Sequence, residues 1–167
     1  FSNKTYAGSF NMKFLQVDSP QVLSFDKSTS LDFSQPGEAK SFTLNLNRGE
    51  RVRLVTQSTS NNSTIWGDNY NPDGTSQSLY NFRQSGAGTK ASDFEAKQTG
   101  VHTFVVYYNS AGNLGKVTLT AIKSTVAAQA AVGKPTTVSF RKSGERIDIS
   151  VKVTRGYMYR LVTNVKD

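Results

Sequence analysis

The chain has 167 residues with 36% hydrophobic content, ten Phe, seven Tyr, no Cys and a formal net charge of +8. The apolar share is below that of an ordinary globular domain and small polar residues make up the shortfall, which suits short strands with one wet face and argues against a helical protein. No stretch approaches the roughly 20 apolar residues of a membrane helix, disulfides and thiolate zinc sites are excluded, and no Lys/Arg run exceeds Arg141-Lys142, so nucleic acid is an unlikely partner.

Period-2 alternation marks the strands. Phe42, Leu44 and Leu46 face one way and Thr43 and Asn45 the other. After the turn Asn47-Arg48-Gly49-Glu50, Val52 and Leu54 continue inward and Arg51 and Arg53 outward. Asn71-Pro72-Asp73-Gly74 is a type I turn signal. In residues 101–108 both alternating sets are apolar enough for a central strand covered on both faces. Residues 110–113 (Ser-Ala-Gly-Asn) are expected to form a hairpin into a strand with Val117, Leu119 and Ala121 inward. Residues 125–132 read as a linker or a short helix.

The chain also repeats itself at a spacing of 107. Residues 8–56 lie over 115–163 without a gap and with twelve identities, among them Phe33 with Phe140, Glu38 with Glu145, Gly49 with Gly156 and Leu54 with Leu161. Repeats on this scale organise whole folds. The expected division is a closing strand of a preceding repeat plus connector (1–23), a complete β-sandwich (24–124), a linker (125–133) and the opening strands of a following repeat (134–167). The opening Phe1-Ser2-Asn3 shows no cleavable leader, which suggests a processed chain or an excised fragment.

The complete repeat resembles the bacterial pre-peptidase C-terminal domain, a family related to the collagen-binding domains of clostridial collagenases. The resemblance rests on the strand, glycine turn and strand of residues 41–54, the Pro72-Asp73-Gly74 turn, the Gly100 strand signature of 94–106, and the closing strand from Gly115. It implies an all-β, antiparallel, jelly-roll-like sandwich of eight or nine strands, flanked here by partial repeats. It further implies a secreted or cell-surface appendage without catalytic activity, often attached to a protease. Where many members carry an acidic calcium loop, this chain has Tyr80-Asn81-Phe82-Arg83-Gln84. Calcium is therefore not expected, nor any other cofactor.

The residues themselves point away from chemistry. His102 is the single histidine, no nucleophile elbow accompanies it, and a mid-strand packing role is expected. The carboxylate pairs Asp68/Asp73 and Asp93/Glu95 read as turn residues rather than a glycosidase pair. The series Asn69, Asn71, Asp73-Gly74 imitates half a calcium loop but supplies one carboxylate. Residues 60–83 form the expected binding region, a polar loop carrying Trp66, Tyr70, Tyr80 and Arg83, with Arg51 and Arg53 adding anion attraction. Trp and Tyr in such a setting stack on sugar rings or lie against an extended, collagen-like peptide. A second reading is a self-assembling surface or filament subunit, in which partial repeats complement one another through unpaired edge strands.

Overall fold

In the computed structural model, residues 17, 19–59, 64–109, 113–141 and 145–164 are described. Of the region read as a preceding closing strand, residues 1–16 and 18 lie outside them. The described chain is all-β. Nine strands build an antiparallel sandwich: β1 (Gln21–Val22), β2 (Ser28–Phe33), β3 (Ala39–Leu46), β4 (Arg51–Ser58), β5 (Thr64–Tyr70), β6 (Ser76–Ser85), β7 (Gly88–Glu95), β8 (Gly100–Tyr108) and β9 (Gly115–Lys123). One sheet has the order β1-β3-β8-β5-β6 and the other β2-β9-β4-β7, and β1 alone in them runs parallel to its neighbour. No described helix is long and apolar enough to cross a membrane.

Alternation sets the core. Phe42 and Leu44 on β3, Phe104 and Val106 on β8, Val52 and Leu54 on β4, and Val117, Leu119 and Ala121 on β9 are buried between the sheets. Phe42 stacks on Phe104 at 5.1 Å, and Phe94 meets Phe104 edge-on at 5.2 Å. Burying each such side chain contributes roughly 1.5–3 kcal/mol. β8 is central, as expected, and its outward residues Thr103, Val105 and Tyr107 are half-buried.

The structure corrects three local readings. β8 and β9 do not form the expected hairpin, because they belong to different sheets. The core edge begins at β1 rather than after residue 23, since Leu23 is buried and its N–H donates to the Thr43 carbonyl. Residues 125–132 are neither helix nor plain linker: β10 (Thr125–Ala130) pairs in parallel with β11 (Ile147–Val151). Of the region read as further opening strands, β11 is the described strand, while residues 135–140 have no regular structure.

Several local features recur at the 107-residue spacing. The parallel register Gln21↔Phe42 and Val22↔Thr43 reappears as Ala128↔Ile149 and Gln129↔Ser150. The Lys27 N–H to Ser24 carbonyl bond reappears as Lys134 to Ala131. Asp26, at φ 63°, corresponds to Gly133 at φ 76°. The Glu38 carboxylate accepts from the Ser34 N–H as Glu145 accepts from Arg141.

Candidate functional site

β5 runs through the region expected to be a loop, and its pattern shows why it folds as a strand. Ile65, Gly67 and Asn69 turn toward the core, opposite Tyr108, Val106 and Phe104 of β8. Trp66, Asp68 and Tyr70 therefore turn outward. Past Ile65 the inward positions are the small Gly67 and the polar Asn69, while Trp66 and Tyr70 turn outward, so the alternation there carries inverted polarity.

Register lays out three rows across the outer face of the five-stranded sheet. Ala39, Tyr107, Trp66 and Arg83 share the first, Ser41, Val105 and Asp68 the second, and Thr43, Thr103 and Tyr70 the third. Within the first, the Trp66 ring meets Tyr107 edge-on at 6.3 Å. The Tyr107 hydroxyl donates to the Asp68 carboxylate at 3.0 Å, which binds the first row to the second. Trp66 and Tyr70 are half-buried and Arg83 is exposed. Four residues of strand separate Trp66 from Tyr70, about 13 Å. The face thus offers two aromatic bodies and an exposed guanidinium donor on neighbouring strands, while the Asp68 carboxylate is buried and accepts from Tyr107. Tyr107 and Thr103 are not singled out by the sequence, and Asp68 reads there as a turn residue, because only the β5–β8 register brings them beside Trp66.

Of the expected site residues, Trp66, Tyr70 and Arg83 meet on this face. Tyr80 is on β6, and its side chain lies outside the described ones. Arg51 and Arg53 are elsewhere, on the outer side of β4. Arg53 forms a bidentate pair with Asp93 at 2.9 and 3.1 Å, and Arg51 pairs with Glu95 at 3.0 Å and with Asp148 at 3.7 Å. Arg146 bridges Asp93 at 2.8 Å and Asp148 at 3.0 Å. Hydrogen bonding to Arg53 holds the Asp93 carboxyl below its ordinary value, and burial opposes this. Burial pushes Asp148 up, but hydrogen bonds from Arg146 and Ser124 outweigh it and leave it lowered. These arginines carry a junction between the sandwich and β11.

The carboxylates read as turn residues are, apart from Asp73, on strands β5 and β7. In the 71–75 turn, Asp73 accepts from the Thr75 N–H and hydroxyl and from the Gln98 amide, which together bring its carboxyl down to about 2. Asn71 donates to the Thr75 hydroxyl. The turn holds itself together through its own side chains. His102 is fully buried, bonded through Nε2 to the Gln98 carbonyl at 2.8 Å and set edge-on to Phe94. Among the described residues no group of three or more His, Cys, Asp or Glu is placed to hold a metal.

No family model matches the chain, and a search of curated proteins finds no match. Solved structures give distant likenesses. PliG of Aeromonas hydrophila, a periplasmic inhibitor of g-type lysozyme, is 16% identical with a TM-score of 0.43, covering 64% of this chain and 97% of that one. The pre-peptidase C-terminal domain of a Bacillus anthracis collagenase is 13% identical at 0.44, covering 66% and 99%. CorA, a surface-associated copper-binding protein of Methylomicrobium album BG8, is 11% identical at 0.46, covering 63% and 98%.

Proposed function

We propose that this chain is a non-catalytic extracellular binding module of the pre-peptidase C-terminal type, which takes an extended protein or polysaccharide on the outer face of its five-stranded sheet. The observation that carries the reading is the convergence of Trp66, Tyr70, Tyr107, Asp68 and Arg83 on that face. Aromatic rings on rigid strands supply contact area at little entropic cost, and Arg83 supplies a set of donors for orientation. The described carboxylates Asp73, Asp93 and Glu95 are committed to local partners, and His102 is sealed in the core, which leaves them poorly placed for acid–base work.

The test is binding of the whole chain to immobilised collagen peptides and to neutral and acidic polysaccharides. Trp66→Ala and Tyr70→Ala are expected to weaken capture at least tenfold each, whereas Lys116→Ala, on the opposite sheet, leaves it unchanged. Equal capture by all of these variants would remove the proposed face.

A further inference from the structure

We propose that the ligand of the outer face is an acidic polysaccharide, a chain of sugar rings bearing ring-bound carboxylates, with Trp66 against one ring and Arg83 on its carboxylate. This rests on the binding face proposed above and names the class of ligand that it takes.

The two sheets treat their outward cations differently. On the four-stranded sheet the ladders set each of three cations opposite a carboxylate: Arg51 faces Glu95, Arg53 faces Asp93 and Lys116 faces Asp32. Their nitrogen–oxygen distances are 3.0, 2.9 and 3.8 Å, so these charges are met within the chain. On the five-stranded sheet Arg83 faces the indole of Trp66 instead. Among the described residues no carboxylate forms an ion pair with Arg83. Asp68, in the next row, is buried and accepts from the Tyr107 hydroxyl. Arg83 therefore presents its fork of donors to solvent beside an aromatic ring.

Directly opposed side chains start about 5 Å apart. A ligand that uses both must carry a stacking surface and an anionic group within one compact unit. A uronate is such a unit, because its carboxylate is bonded to a ring carbon and lies at the edge of the face that stacks. The guanidinium takes a carboxylate through two parallel N–H···O bonds, a geometry that lysine does not reproduce. Tyr70, about 13 Å further along β5, receives a later ring of the same chain. The net charge of +8 draws a polyanion toward the molecule. A collagen-like peptide keeps its rings and its carboxylates on separate residues. Single-stranded nucleic acid needs a basic groove along its backbone, and Arg83 is the one exposed cation among the described residues of this face.

The test is binding of the whole chain to polygalacturonate, alginate and hyaluronate, each beside its neutral methyl ester. At least one acid form is expected to bind about tenfold or more tightly than its ester. Arg83→Gln is expected to erase that preference and Arg83→Lys to restore little of it. Lys116→Gln, which removes the same charge from the opposite sheet, is expected to leave it intact. Arg83 is exposed, so its replacement spares the core. Trp66→Ala separates the two proposals, since it weakens acid and ester alike wherever this face holds sugar. Equal binding of acid and ester, with Trp66→Ala weakening both, would overturn the acidic class and keep the face. Indifference of all binding to Trp66→Ala would remove the face itself. Tighter binding of a collagen peptide or single-stranded DNA than of every acid form, equal losses in Arg83→Gln and Lys116→Gln, or no binding of any acid form would also overturn the proposal.

Discussion

The guanidinium of Arg146 lies 2.8 Å from the carboxylate of Asp93, and this ion pair joins the segment before β11 to edge strand β7 of the sandwich. Asp93 is shared with Arg53, and Arg146 with Asp148, so the junction is a network rather than a lone surface pair. Partial exposure limits each pair to about 1 kcal/mol or less. Asp93→Asn is expected to raise amide exchange across β11 while leaving β3, β8 and β9 protected, measured by hydrogen exchange at neutral pH. The Asp93 carboxyl is depressed in the folded state, so its contribution is present above the ordinary aspartate value near 3.9 and lost as the pH falls through the folded value. Acidification should therefore loosen β11 first.

Gly100 adopts φ 137°, and a Cβ there would stand 2.9 Å from Pro72 Cγ. Neither the backbone nor the proline ring yields cheaply, because the 71–75 turn is pinned by Asp73, Thr75 and Gln98. Gly100→Ala is expected to cost about 1–3 kcal/mol in urea unfolding. An unchanged midpoint would mean that the turn moves freely.

Asn69 is fully buried between the sheets, and neither amide atom has a hydrogen-bond partner. An unpaired buried amide costs about 1–3 kcal/mol. Asn69→Leu, apolar and of similar size, is expected to stabilise the chain by about 1 kcal/mol, read from the denaturant midpoint. A loss of stability would assign Asn69 a partner beyond the protein.

The 71–75 turn needs no metal, since both Asp73 oxygens are engaged by Thr75 and Gln98. Calcium or a chelator is expected to leave the thermal midpoint unmoved. The Asp73 carboxyl is lowered to about 2, so these bonds persist above the ordinary aspartate value and fail as the pH drops through about 2. A midpoint raised by calcium would contradict this.

What the sequence disclosed follows from which strands bury one face. β3, β4 and β9 alternate cleanly because Phe42, Leu54 and Leu119 face one core while Thr43, Arg53 and Thr118 face water. Alternation says which side chains turn inward but not which sheet a strand joins, so a hairpin was expected between β8 and β9, which belong to different sheets. β5 was hidden for a different reason: Gly67 and Asn69 occupy its inner face and Trp66 and Tyr70 its outer one, the reverse of the usual polarity. β10 was hidden by its alanines, which favour neither periodicity. Arg51 and Arg53 were correctly placed outward, but their partners Asp93, Glu95 and Asp148 come from strands distant in sequence.

The proposed function places ligand on the outer face of the five-stranded sheet. Amide chemical-shift mapping of the labelled chain, titrated with a collagen peptide or polysaccharide that it retains, tests this most directly. Perturbations are expected to be confined to Trp66, Asp68, Tyr70, Arg83, Thr103, Val105 and Tyr107, with the Trp66 indole signal among the largest. Perturbations centred on β4, β7 or residues 131–164, with Trp66 unmoved, would contradict it.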